Sequence, residues 1–121
     1  MIRHYLNVEI ANTPSQHARG LMFRNNLGKD DGMLFKFKNP QNLKFWGVNT
    51  YIPLAIAFVS PENTIQKISY ISPHDSRAVD SEIDCDTAIE ANYDFFTSNN
   101  IKVGDKIEII NDDLKTFVKF V

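Results

Sequence analysis

The 121-residue chain has one cysteine, one tryptophan and only five prolines. It has no apolar run approaching the roughly 20 residues of a membrane-spanning helix. A lone Cys85 excludes an internal disulfide and any zinc site built on several thiolates. Basic surplus is also missing: 13 Lys and Arg face 15 Asp and Glu, for a net charge of -2. No nucleic-acid partner is therefore expected. No GxGxxG or Walker-type loop occurs to cradle a nucleotide phosphate. The first residues, MIRHYLNVEI, alternate at once and carry no apolar signal-peptide core, so a cytoplasmic location is expected.

What is present describes a single globular domain spanning residues 1–121, with an ordinary 43% of hydrophobic residues. Residues 2–10 alternate as a strand. In TPSQHARGLMFR, Thr13 can N-cap a helix, Pro14 suits its first position and Gln16 completes a capping box. Ala18, Leu21 and Met22 would give that helix one apolar face. Gly20, in the middle of the segment, costs about 1 kcal/mol relative to alanine, so close packing against a neighbour is expected there.

Met33–Phe37 reads as a strand, residues 38–43 as a polar loop, and Phe45 and Trp46 as part of an aromatic strand. Pro53 opens an apolar, central strand, Leu54–Val59. Ile65, Ile68 and Ile71 belong to a returning strand, and residues 85–90 to a further one. A second short helix fits residues 93–99 with Asn92 as N-cap. A hairpin of Ile107–Ile110 and Phe117–Val121 closes the chain. Short strands between turns, with two short helices, predict a mainly β fold. It is read as a compact antiparallel β-sandwich of jelly-roll type or a partly closed barrel.

Few residues offer chemistry. Asp80, Glu82, Asp84 and Asp86 alternate, but the sixth and twelfth positions of a calcium loop hold Cys85 and Ala91 in place of glycine and glutamate. A solvated strand face, with Ile83 and Cys85 turned inward, is the expectation. His4, His17 and His74 show no ligand spacing, and neither a metal nor a cofactor is expected. The carboxylates around Cys85 disfavour a thiolate, so it is read as a buried structural residue. Phe45 is read as core. Trp46 suits a rim position where its indole N–H finds a partner. Arg19, beside Gly20, is the better anion-binding candidate of the two helix arginines.

The pieces HARGLMFR, GMLFKF, FWGVNT, IPLAIAF, TIQKI, AIEAN and IKVGDKIEI, in that order, resemble the domain of unknown function 192 family from about Asn7 to Ile109. The resemblance implies a jelly-roll-like sandwich with short helices and, in some suggestions, a small polar ligand such as a carbohydrate. It also implies that many relatives are exported. This chain departs from the family pattern at Gly47 and Val48, where methionine and lysine are usual. It departs again at Ala55, which replaces an aspartate, and at Asn92, which replaces a late glycine. Between residues 43 and 59 only Lys44 and Tyr51 remain ionisable, so no catalytic residue is assigned there.

The leading expectation is a non-catalytic domain that binds a small polar, sugar-like ligand through Arg19, Trp46, Asn49 and Thr50. The alternative is a structural or protein-interaction module that lends a sheet edge or the terminal hairpin to a partner. An enzyme gathering Glu90, His74 or Arg19 ranks third. The sequence carries no signal of oligomeric state.

Overall fold

The computed structural model describes residues 4–121; residues 2 and 3 of the first expected strand lie outside them. In chain order the elements are β1 (His4–Ala11), α1 (Pro14–Arg19), β2 (Asp31–Gln41), β3 (Lys44–Phe45), β4 (Leu54–Val59) and β5 (Ile65–Ile71). They continue with β6 (Val79–Asp80), β7 (Cys85–Asn92), α2 (Phe95–Ser98), β8 (Ile107–Asp112) and β9 (Lys115–Phe120). The fold is mainly β with two short helices, as expected.

Seven strands form one sheet in the order β5-β4-β7-β2-β1-β9-β8, and β3 pairs with β6 in a small separate ribbon. All pairs are antiparallel except β1 with β2, which run parallel from Asn7 opposite Asp31 to Ala11 opposite Phe35. Parallel neighbours need a crossover rather than a hairpin. Here α1 and the loop after it supply that crossover.

The sheet curls until its two edges touch at one end. Thr64 and Lys106 form a bridge, and Ile65 N–H donates to the Asp105 carbonyl at 2.9 Å. Closure stops there, leaving the barrel open. Side chains from all seven strands fill the inside of the curl, among them Leu6, Leu34, Ala57, Ile65, Ile89, Ile107 and Val118, joined by Phe95 and Phe96 of α2. A second core lies on the opposite face of β2, β4 and β7. Met33, Phe35, Leu54, Ile56, Phe58 and Ala88 pack there against Leu21, Leu43 and Ile52. Strand β4 is consequently buried at every position, the reason its sequence is apolar throughout.

Local signals explain the smaller features. The Thr13 hydroxyl accepts from Gln16 N–H and the Gln16 side chain accepts from Thr13 N–H, completing the expected capping box. The β8–β9 hairpin turns through Asp113 and Leu114, with Asp113 at φ 44°.

Several boundaries differ from expectation. Strand β2 runs on to Gln41 through the residues read as a polar loop. Helix α2 starts after Asp94, and Asn92 belongs to β7. Helix α1 stops at Arg19, so Gly20 is its C-terminal cap at φ 48° rather than an interior residue, and of the expected apolar face only Leu21 is buried.

Residues 43–52 form a strap over the outer core. At Gly47 the strap meets another backbone: its N–H donates to the Asp75 carbonyl at 2.7 Å, and a Cβ would lie 2.1 Å from the Ser72 carbonyl oxygen. No side chain fits. Gly47→Ala is expected to destabilise the fold by about 1–3 kcal/mol, read as a lower midpoint in urea unfolding. An unchanged midpoint would mean that residues 72–75 can retreat.

Candidate functional site

Strand β7 carries a carboxylate where its neighbours are apolar. Glu90 sits opposite Met33 of β2 and Ile56 of β4, on the sheet face that builds the outer core. The residue is 4% exposed. Among the described residues nothing donates a hydrogen bond to its carboxylate and no cation pairs with it. Burial alone pushes its carboxyl from an ordinary 4.5 to about 8, which keeps it protonated at neutral pH.

The carboxyl opens into a cavity of about 130 Å³ between the sheet and the strap. Phe35 and Glu90 lie along its sheet side, Gly20 and Leu21 just after α1, and Lys44, Phe45, Trp46 and Thr50 along the strap. A Cβ on residue 20 would stand 3.8 Å from Glu90 Oε1 and 3.4 Å from the Phe35 ring. The close packing expected at Gly20 is therefore real, and it is against the site itself.

Three of the four sequence-predicted binding residues line this cavity. Arg19 is exposed at its mouth, with its guanidinium carbon 5.6 Å from the Phe23 ring centroid and no acidic partner among the described residues. Arg24 differs. It holds both carboxylate oxygens of Glu9 and thereby lowers that carboxyl below its usual range. Trp46 is 51% exposed and sits at the rim. Phe45 points inward, edge-on to Phe35 with centroids 4.9 Å apart. Thr50 is buried in the cavity wall, and its hydroxyl makes only a 3.3 Å bond to the Val48 carbonyl.

Asn49 does not line the cavity. It lies at φ 56° in the turn closed by Thr50 N–H to the Gly47 carbonyl at 3.0 Å, and its own carbonyl accepts from Phe23 N–H at 2.9 Å. Asparagine tolerates that left-handed conformation. The side chains missed by sequence reading are His17, Phe35 and Lys44. His17 Nε2 faces the Ala11 and Lys36 carbonyls at 3.1 and 2.8 Å; both can only accept, so this nitrogen carries a proton. Its ring stacks on Phe37.

The remaining candidates lie elsewhere. His74 packs against Tyr51 outside the cavity, so the residues proposed for an enzyme do not all converge. Cys85 is buried, and desolvation followed by Asp86 and Asp84 raises its thiol, in line with a structural role. The acidic stretch does not form one extended face: Asp80 ends β6, Asp86 lies in β7, and residues 81–84 bend between them. Lys67 Nζ donates to the Asp80 carbonyl and to Glu82 Oε1, and Ile83, expected inside, is 54% exposed. A roomier groove of about 570 Å³ runs beside β1 and the hairpin tip, but it is open and its Glu9 and Asp31 already have partners.

Residues 2–109 match the family described as DUF192, Uncharacterized ACR. The chain belongs to that family. Two solved structures share the DUF192 chain's fold. A protein from Sinorhizobium meliloti 1021, provisionally assigned as a transcription regulator, is 35% identical over 87% of this chain and 82% of its own, with a TM-score of 0.85. A protein of unknown function from Novosphingobium aromaticivorans DSM 12444 is also 35% identical, over 84% of this chain and 73% of its own, with a TM-score of 0.81. No curated protein matches.

The structure gives reasons for three of this chain's four departures from the DUF192 pattern; nothing in it explains Val48. Gly47 is required by the backbone beside it. Ala55 lies wholly inside the curl, among apolar side chains. Asn92 Nδ2 donates to the Leu27 and Gly28 carbonyls and ties down the loop before β2.

A raised carboxyl has a definite effect on stability. Below the unfolded value near 4.5 both states are protonated, and between 4.5 and about 8 only the folded state keeps its proton. Glu90 therefore makes stability fall as pH rises through that window, by up to about 1.4 kcal/mol per pH unit. Glu90→Gln is expected to remove this contribution, seen as a flatter dependence of unfolding free energy on pH. Identical slopes for the two proteins would show that Glu90 is ionised in the fold.

Proposed function

We propose that this DUF192 chain is a non-catalytic binding domain for a small polar, carbohydrate-like ligand held in the cavity over Glu90. The observation that carries the reading is a buried carboxyl, without a partner among the described residues, opening into a cavity rimmed by an exposed indole. Buried polar groups nearly always have hydrogen-bond partners, and one left open to a cavity is suited to a ligand that supplies them. The Trp46 face can stack on a sugar ring, Arg19 and Thr50 can meet its hydroxyls, and Asn49 holds the turn that positions them. Glycoside hydrolysis ordinarily needs a second carboxyl group across the scissile bond. Among the described residues that line the cavity, Glu90 is the only one with a carboxyl group.

Trp46 is the chain's single tryptophan, so its fluorescence reports on the cavity mouth directly. A saturable change in emission with one of a panel of monosaccharides is expected. Trp46→Ala or Arg19→Ala, tested by calorimetry, should weaken that binding about tenfold, equivalent to roughly 1.4 kcal/mol, with little change in melting temperature. A panel that moves neither emission nor melting temperature would count against the reading.

A protein-interaction role is favoured by a separate observation: Leu114, 98% exposed at the tip of the β8–β9 hairpin. If the tip mediates self-association, Leu114→Ser should shift a concentration-dependent sedimentation profile towards monomer. A profile that is monomeric before the substitution would remove that role.

A further inference from the structure

The charges around the cavity narrow the class of ligand. Among the residues lining it, the ionisable groups are Glu90 on β7, His17 and Arg19 on α1, and Lys44 on β3. At the register of Glu90, β2 and β4 contribute only Met33 and Ile56. His17 Nε2 is committed to two carbonyls. Arg19 and Lys44 form no ion pair among the described residues, and they stand at the mouth of a cavity whose deep group is a carboxyl. An amine entering this site would pass two cations. A neutral sugar would leave both without a counter-charge.

We propose that the occupant is a hydroxylated carboxylic acid, such as a sugar acid, that enters carboxylate first. One of its carboxylate oxygens accepts a hydrogen bond from the Glu90 O–H, Arg19 and Lys44 balance its charge, and its hydroxylated body lies against Trp46. This rests on the binding function proposed above and specifies its ligand.

The physical case has three parts. An anion brought into a low-dielectric cavity needs both a counter-charge and hydrogen-bond donors. Glu90 can donate only while protonated, and burial keeps it protonated at neutral pH. Hydrogen bonds to an ionised acceptor are stronger than neutral ones, so the acid–carboxylate pair favours this ligand over its uncharged counterpart. Ionisation of Glu90 would replace that bond by repulsion between two carboxylates. Binding is thus coupled to retention of one proton.

Glucose, glucuronate and glucosamine test this on one ring with neutral, anionic and cationic substituents, and glycolate removes the dependence on ring stereochemistry. Trp46 fluorescence titration of the whole chain is the readout. At neutral pH the acids are expected to bind at least about tenfold tighter than glucose, and their affinity to fall by more than about tenfold between pH 7 and pH 9.5. Glu90→Gln keeps an N–H donor that does not titrate, so acid binding should survive with that pH dependence abolished. Glu90→Ala should lose acid binding. Parallel losses with an unaltered pH profile in Glu90→Gln would mean a merely structural carboxyl and overturn the proposal. Glucose or glucosamine binding as tightly as the acids would overturn it too, while leaving a sugar-binding domain intact. If none of the four compounds binds, both readings fail.

Discussion

Strands β4 and β7 have almost no solvent face. Every residue of β4 is buried, as is β7 from Thr87 to Ala91, because the curled sheet fills its inside with one core while α1 and the 43–52 strap cover the other side with a second. Any polar group on these strands must find a partner within the protein or stay neutral. Thr87 is wholly buried and receives a hydrogen bond from Lys36 Nζ at 2.8 Å. Just before β7, the buried Ser81 follows the same rule: it accepts from Leu43 N–H and donates towards the Ile83 carbonyl. Glu90 is the exception: it keeps its proton and faces a cavity. The double burial that gives the fold its core also makes this one carboxyl chemically unusual.

The cavity combines a fixed floor with an adjustable rim. Its floor is side chains of the packed sheet, and its walls are set by backbone contacts: the left-handed cap at Gly20, the close approach at Gly47 and the turn at Asn49. Each contact leaves little freedom to the chain around the carboxyl. Arg19, Lys44 and Trp46 are exposed and long, so they can adapt to what enters. In the binding function proposed above, a preorganised interior would reduce the ordering cost, and the exposed cations at the mouth would add attraction without having to be buried in advance.

Features resting on local chemistry were legible in the sequence. The Thr13–Gln16 capping box, the apolar run of β4, the terminal hairpin and the inward Phe45 all follow from a few adjacent residues. The site was legible in part. Arg19, Trp46 and Thr50 converge on the cavity, and Asn49 shapes the turn between them. Glu90 carried a usable signal, a lone acid in the otherwise apolar stretch AIEA of a strand, but strand periodicity does not say whether an acid faces water. Ile83 was misplaced for the same reason: it is 54% exposed. Asn92 was read as a helix cap but ends β7, and its side-chain partners, the Leu27 and Gly28 carbonyls, lie far away in sequence.

The amino-acid sequence by itself determined the elements and the family, because caps, turns and alternation act over neighbouring residues. Tertiary structure alone decided the parallel β1–β2 pairing, the near-closure through Thr64 and Lys106, and the meeting of α1, β3 and β7 around Glu90. Those depend on contacts between segments tens of residues apart. The acidity of a side chain depends on the water such contacts remove, which its own neighbours in sequence do not set.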